Sequence, residues 1–585
     1  MSAHGTISLW MADHAFQYRA EKAAKVKLRS GPLISTKSDN GPSGFKHFLG
    51  DPKPAQQFTI DGVRFDPKNS DQKARANSLM TQLAKIMTFE PLADFNPDIP
   101  SGYTYFLQLI AHDLVESSLF LSRNQSNLLG LSNVRTKPLR LETIFGGGPI
   151  ECPHAYEFND CGFRDRLRLG QVRADGSEGY NVNTGDFRDI PRARATDVLA
   201  RPSYPEALIG DARNDSHAIL AQLVVMFHHF QRKILADIEA NQNISSTGSD
   251  IVDAQRNFVA TQSACAMIFR SIVRNDVLRK ILHPDVRAAY ESNAVRIVDS
   301  PQVVGSGPWQ VPVEFSFGFF RFGHSMIRST YAFNSKTLDD KRFDIWKILH
   351  HTSEQDPLSM PFEDKWTIDW RQFFGSDPTK SNFSVKIGPW SRCDLEHAVR
   401  GPDVDEPGLT ARDLTSSVAT QPWSVRALAQ ALIPTHGNLF GSSPYLAGDL
   451  SDPNNPPWNG AIHDWLKQRR AQGGDNLSDG DIKTLAADPP IPFFSRFEAG
   501  MDPAIGGTHL GVLTSIVVAD VLYGVFRDDR ILGVDGSLDL ASQLQQLSKL
   551  AFDGAPDAFT GLEGITTVND LIVFLGALIQ SPAGG

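Results

Sequence analysis

The sixteen histidines are the most versatile reactive groups in the chain. Their spacing excludes the short metal motifs, since neither HExxH nor HxH occurs. A metal held by imidazole must therefore be assembled from distant segments. His228 with His229 and His350 with His351 are adjacent pairs, read as structural residues on helices. The four cysteines, Cys152, Cys161, Cys265 and Cys393, form no CxxC pair. Cys152 could bridge to Cys161, but free thiols are the expectation.

Three segments concentrate the reactive side chains. GYTYFLQLIAHDL (102–114) carries His112 with Gln108 one helical turn ahead of it, so the two share a face. GDARNDSHAILAQL (210–223) presents Arg213 and His217. FRFGHSMIR (320–328) carries His324 three residues after Arg321. Neutral imidazole is a good iron ligand and, with a pKa near 6.5, a proton carrier at neutral pH. A fixed guanidinium stabilises charge that develops in a reaction. Arg213 also has a structural alternative, an ion pair with Asp211 or Asp215 at the start of the helix that follows.

The elements that must position these groups are helical. Phe106, Leu109, Ile110 and Leu114 recur at spacings of three and four, which predicts an amphipathic helix from Tyr103 to Leu121. The Asn, Asp and Ser of GDARNDSH supply capping oxygens for a long helix through Ile219, Leu223, Phe227, Phe230 and Ile234. Residues 252–282 repeat the pattern, and 410–440 and 505–530 read as further buried helices. Residues 311–328 are too aromatic for a surface loop and read as a buried helix or extended piece. Residues 1–100, broken by Gly, Pro and Asp, read as an irregular wrapping arm with a few short helices. No strand–helix alternation and no repeat of 20–50 residues is visible, so the fold class is all-α, a single domain with long decorated loops.

A composition of 41% hydrophobic and 21% charged residues lies far from the disordered range and predicts a folded protein. The net charge of -10 is mild for 585 residues, with no Lys/Arg stripe, which argues against a nucleic-acid partner. The N-terminal residues lack the basic start and apolar run of a secretory signal, and no stretch approaches the ~20 residues of a transmembrane helix. A cytoplasmic location is the expectation.

Taken together, the three segments resemble the animal haem peroxidase superfamily, most closely its bacterial branch. There a tyrosine-rich helix ends in a His-Asp pair, a GD-x-RND turn supplies an arginine, and an RFGH segment supplies the iron ligand. A fourth segment, TKPLRLETIFGGGP (136–149), is similar to a calcium-ligand loop of that family. The order and separation of the four also match, and the resemblance covers roughly residues 95 to 530. It implies a mainly helical, myeloperoxidase-like fold. The arm would be residues 1–95, the catalytic domain 96–530, and 531–585 a C-terminal helical extension. His324 would hold the haem iron, His112 would take and return the peroxide proton, and Arg213 would stabilise the breaking O–O bond. Gln108 would help bind halide or water.

The departures from the family are informative. Ala111 and Ser216 stand where mammalian members attach haem through esters, which implies removable haem b. His217 stands where such members have a haem-linked methionine; it could approach a haem edge or cap a helix. Asp413 stands near the place of an asparagine that accepts the other ring N–H of the iron ligand, and would raise its basicity. Asp113, Thr136 and Glu142 match calcium-bearing positions, but Arg140 replaces an expected carboxylate and would pair with Asp113, which disfavours calcium. Arg321 occupies the place of the hydrogen-abstracting tyrosine of the fatty-acid dioxygenase branch, which favours peroxidase chemistry. The partners implied are hydrogen peroxide and a small donor such as a phenol, halide or thiocyanate. The rivals are a specialised oxidase or dioxygenase of a lipid or natural product, and an inactive peroxidase-like binding protein.

Overall fold

The apolar stripes do produce long packed helices. In the computed structural model, which describes residues 44–88, 94–116, 133–174, 188–196, 202–298, 310–377, 381–400, 408–472, 477–552 and 557–579, eight helices frame the region of interest. They are α1 Ser70–Met87, α2 Gly102–Leu114, α3 Ala218–Ala240, α4 Asp250–Ile272, α5 Leu409–Ala419, α6 Val425–His436, α7 Ile491–Met501 and α8 Val512–Asp528. The fold is mainly helical, and strands among the described residues pair only in twos. No helix among them is long and apolar enough to cross a membrane.

Helix α2 is buried along its whole length, so its apolar side chains meet protein on every side. Phe106, Leu109, Ile110 and Leu114 are fully covered, each worth ~1.5–3 kcal/mol of burial. The helix is shorter than its periodicity predicts. It stops where Val115 turns to extended backbone, and residues 117–121 lie outside the described chain. Helices α3 and α4 pack on one another and α2 leans on α3.

The N-terminal arm differs from the sequence expectation. Instead of short helices alone it contributes the 18-residue α1, capped by Asn69, whose side chain accepts from the N–H groups of Asp71 and Gln72. Leu79, Met80, Leu83 and Met87 are buried on the side that packs against α5. Gly and Pro punctuation at both ends hid this stripe. Further along, β1 (Phe45–Lys46) pairs in parallel with β2 (Val311–Pro312). The buried Glu314 accepts from His47 Nδ1 (2.7 Å), Phe48 N (2.9 Å) and Trp423 N (3.1 Å). The arm thus clamps the start of the segment that carries His324.

That segment is helical in two short pieces, Val313–Ser316 and a 3-10 turn over Phe319–Met326. The turn packs against α2, α7 and α8, which brings the His112 and His324 segments side by side. The predicted 410–440 helix is split into α5 and α6, with Ser424 capping the second through Ala427 N. One continuous apolar core runs from Phe45 to Ile579.

Candidate active site

His324 is fixed by a buried carboxylate. Its Nδ1 lies 2.6 Å from Asp413 Oδ2, so Nδ1–H donates and Nε2 carries the lone pair, the tautomer a metal ligand needs. Asp413 is held in turn by Arg496 Nη2 at 2.8 Å and Arg321 Nη1 at 3.5 Å. Burial alone would raise the Asp413 carboxyl. The His324 ring and the two guanidiniums outweigh burial and hold it below the usual carboxylate range. Arg321 also donates from Nε to Ser316 O at 2.9 Å, and Arg496 Nη2 to Arg321 O at 3.0 Å. Three elements therefore meet at one ring: the 319–326 turn, α5 and α7.

His112, at the end of α2, is oriented by a different partner. Its Nδ1 lies 3.1 Å from Asn214 Oδ1. Asn214 Nδ2 donates to Thr143 O at 2.9 Å, a carbonyl that can only accept, so the amide oxygen must face His112. His112 Nδ1 is therefore the donor and Nε2 the basic nitrogen. Burial, then the nearby Arg213 charge, push its pKa down to about 3. The ring is a neutral base at any ordinary pH, further from 6.5 than its residue type suggests.

Arg213 takes the structural alternative. Its Nη2 and Nε bond Asp211 at 2.7 and 3.1 Å, and its remaining bonds go to Val115 O (2.7 Å) and His112 O (2.9 Å). Arg135 grips the same two groups, donating from Nε to His112 O at 2.9 Å and from Nη2 to Asp211. Burial would raise the Asp211 carboxyl, but these guanidiniums hold it far below the carboxylate range. Gly210 lets this turn sit close: a Cβ there would lie 2.7 Å from Gly146 N and 2.8 Å from Ile144 O.

His217 caps α3, accepting from Leu220 N at 3.2 Å through Nδ1, so its Nε2–H donates to Gln108 Oε1 at 2.9 Å. Among the described residues the buried Gln108 amide nitrogen has no hydrogen-bond partner, and neither do the hydroxyls of Ser216 and Ser316.

The calcium positions are arranged otherwise. Asp113 accepts from Leu141 N at 2.8 Å and Thr143 N at 2.9 Å, one amide on each oxygen. Glu142 accepts from the Thr136 and Lys137 N–H groups, both at 3.3 Å. Arg140 bonds Asp529 at 2.6 and 3.0 Å, not Asp113 as expected. Among the described residues no three His, Cys, Asp or Glu side chains stand close enough to hold a cation. Six to eight oxygens are what calcium requires, and this donor set does not fit it.

A haem, in contrast, fits the residues present. Two imidazoles on neighbouring elements are both fixed through Nδ1, and buried polar atoms of Gln108, Ser216 and Ser316 have no hydrogen-bond partner among the described residues. Neither Ala111 nor Ser216 offers a carboxylate for an ester, and all four cysteines are free thiols. Sequence reasoning missed Arg135, Asn214 and Arg496, and named Asp211 only as a candidate partner of Arg213. Asp211 and Asn214 sit within the GDARNDSH motif and were readable there. Arg496 sits 83 residues from Asp413, with no local signal.

Neither a protein-family model nor a curated protein sequence matches the chain. Solved structures do. Peroxidase A from Dictyostelium discoideum matches with a TM-score of 0.52 and 11% identity, covering 92% of this chain and 98% of that one. The fatty acid alpha-dioxygenase of Oryza sativa matches with a TM-score of 0.55 and 12% identity over 93% and 87% of the two chains. That of Arabidopsis thaliana gives 0.51 and 11%, over 89% and 83%. The chain shares the fold of these oxidoreductases.

Proposed function

We propose that the chain is a haem peroxidase that reduces hydrogen peroxide and oxidises a small donor such as a phenol, halide or thiocyanate. The observation that carries the reading is the 2.6 Å bond between His324 Nδ1 and Asp413, a carboxylate–histidine pair of the kind that orients metal ligands. His324 would hold non-covalent haem b through Nε2, with Asp413, Arg321 and Arg496 fixing the ring. Haem supplies the redox chemistry when bound. His112 accepts the peroxide proton at Nε2 and returns it to the leaving oxygen, while Asn214 keeps the tautomer. Arg213 and Arg135, committed to Asp211 and the His112 carbonyl, contribute positive potential beside that ring. Gln108, held by His217, would offer its amide N–H to the incoming molecule. Residues 96–530 would form the catalytic body, with 1–95 and 531–585 packed on it.

The test is spectroscopic. Purified protein reconstituted with haem should show a Soret band that shifts on adding peroxide, and acid-acetone should extract the haem; colourless protein overturns the reading. A second reading, dioxygenation of a fatty acid, is favoured by the likeness to the two plant enzymes. Against it stands Arg321, engaged with Asp413 and Ser316, where that branch has its tyrosine. Oxygen uptake on adding a fatty acid would favour the second reading; peroxide-dependent oxidation of a phenol, the first.

A further inference from the structure

The segment that carries His324 ends in a cation that no protein anion meets. Arg328 is half-buried and spends its bonds on neutral oxygens, Nε on Thr330 O at 3.1 Å and Nη1 on Phe383 O at 2.8 Å. Its guanidinium carbon lies 4.2 Å from the ring centre of Phe95, which is 54% exposed at the start of the strand Phe95–Pro100. That strand pairs with Phe383–Val385, and the same stretch gathers further cations. Arg342 donates from Nη1 to Asn382 Oδ1 at 3.0 Å, next to the carbonyl that Arg328 holds. Lys386 follows the strand and reaches only the exposed Asp94, at 4.0 Å. Arg392 is paired with Asp394 at 2.9 and 3.2 Å. Among the described residues no carboxylate bonds Arg328 or Arg342, although the chain as a whole carries a net charge of -10.

Holding like charges together costs Coulomb energy, and burial adds to the cost. Burial, joined by the Arg342 and Arg392 charges, pulls the Arg328 guanidinium below the usual arginine value, against the Tyr331 and Tyr105 phenols. An arriving anion relieves such a grouping, which is why unpaired, perturbed charges cluster where ligands bind. The Nε–Nη2 edge of Arg342 makes no hydrogen bond within the described residues, and that edge is the fork that matches the two oxygens of a carboxylate. Phe95, beside Arg328, offers an exposed face on which a second ring can pack. We propose that Arg328, Arg342 and Phe95 form a binding site for a small aromatic carboxylate, at the outer end of the segments that carry His324 and His112. Its use as the electron donor, in the form of a phenolic acid, rests on the peroxidase reading above.

Calorimetric titration of the full chain tests the site without haem. Para-hydroxybenzoate should bind about tenfold or more tightly than para-hydroxybenzyl alcohol, which lacks the charge. It should bind about threefold more tightly than cyclohexanecarboxylate, which lacks the aromatic ring. Arg342→Gln should weaken the binding about tenfold, with Arg328→Gln as a second variant should the first misfold, and Phe95→Leu should abolish the preference for the aromatic acid. Equal affinity for the acid and the alcohol, or unchanged binding in both arginine variants, overturns the site. Inorganic phosphate binding as tightly as para-hydroxybenzoate overturns the carboxylate assignment. For the donor role, haem-loaded Arg342→Gln should show a KM for para-hydroxybenzoate about tenfold higher, with that for the neutral phenol guaiacol unmoved. An unmoved KM for both overturns the donor role and leaves the binding result standing. Peroxide-dependent oxidation of neither phenol by the unaltered protein would sink the peroxidase reading, and the titration would still decide the site.

Discussion

Asp413→Asn is the most informative single substitution, because it keeps the shape of the site and removes one charge. The carboxamide oxygen can keep the Oδ2 place and still accept from His324 Nδ1–H and Arg496, but the amide nitrogen at the Oδ1 place becomes a donor facing Arg321, which donated there at 3.5 Å. At an effective dielectric constant of ~20, a unit pair ~4 Å apart is worth about 4 kcal/mol. Two such attractions vanish while Arg321 and Arg496 remain buried as cations. Relaxation returns part of this, and the loss expected from breaking a buried ion pair is ~3–5 kcal/mol. Urea unfolding of the apoprotein, followed by tryptophan fluorescence, measures it. In the haem-loaded protein the same change makes the imidazole less basic and should raise the iron reduction potential. A stability loss below ~1 kcal/mol, within the range of an exposed pair, together with an unmoved potential, would refute the reasoning.

Asp113→Ala removes the acceptor for the buried Leu141 and Thr143 amides and should cost ~2–6 kcal/mol in urea unfolding, at ~1–3 kcal/mol for each orphaned group. The cost is accentuated because Leu139 and Leu141 sit at φ +52° and +58°, a conformation this loop keeps only while it is pinned. Glu498, on α7 and wholly buried where it accepts from the Leu513 and Thr514 amides at the start of α8, has its pKa pushed up by burial from 4.5 to about 7. A folded value above the unfolded one gives stability that is full below pH ~4.5 and is lost as pH rises through about 7, by at most ~3 kcal/mol. Glu498→Gln should flatten that slope between pH 4.5 and 7 in urea titrations. Asn214→Leu removes the Nδ1 acceptor of His112 and should slow the reaction with peroxide about tenfold or more, with the Soret maximum unchanged.

Much of the frame was legible because helices announce themselves by period. The stripe through Ile219, Leu223 and Phe227 located α3, and the aromatic 311–328 segment was recognisably buried. The reach of α2 was overestimated because apolar residues continue past Val115, where the backbone leaves the helix. Helix α1 was hidden by flanking Gly and Pro, which dominate a reading by punctuation. At the site, family likeness and no local rule set Asp413 beside His324, and the two are hydrogen-bonded across 89 residues. What stayed illegible was charge partnership. Arg213 could be set beside Asp211 from the motif, but Arg135 joins the two only in three dimensions, and Arg140 found Asp529, 389 residues away, in place of Asp113. The His112 pKa depends on burial and on the Arg213 guanidinium packed beside it, and sequence spacing reveals neither.

The central claim is that His324 and His112 address opposite faces of one haem with different tasks. Absorption and resonance Raman spectra of haem-reconstituted His324→Gly and His112→Gly, with and without added imidazole, test it most directly. The account predicts that His324→Gly loses the iron–histidine stretch and regains an imidazole-ligated spectrum on adding imidazole. It predicts that His112→Gly keeps that stretch and loses the rapid spectral response to peroxide. An iron–histidine stretch that survives in His324→Gly, or disappears in His112→Gly, would contradict it.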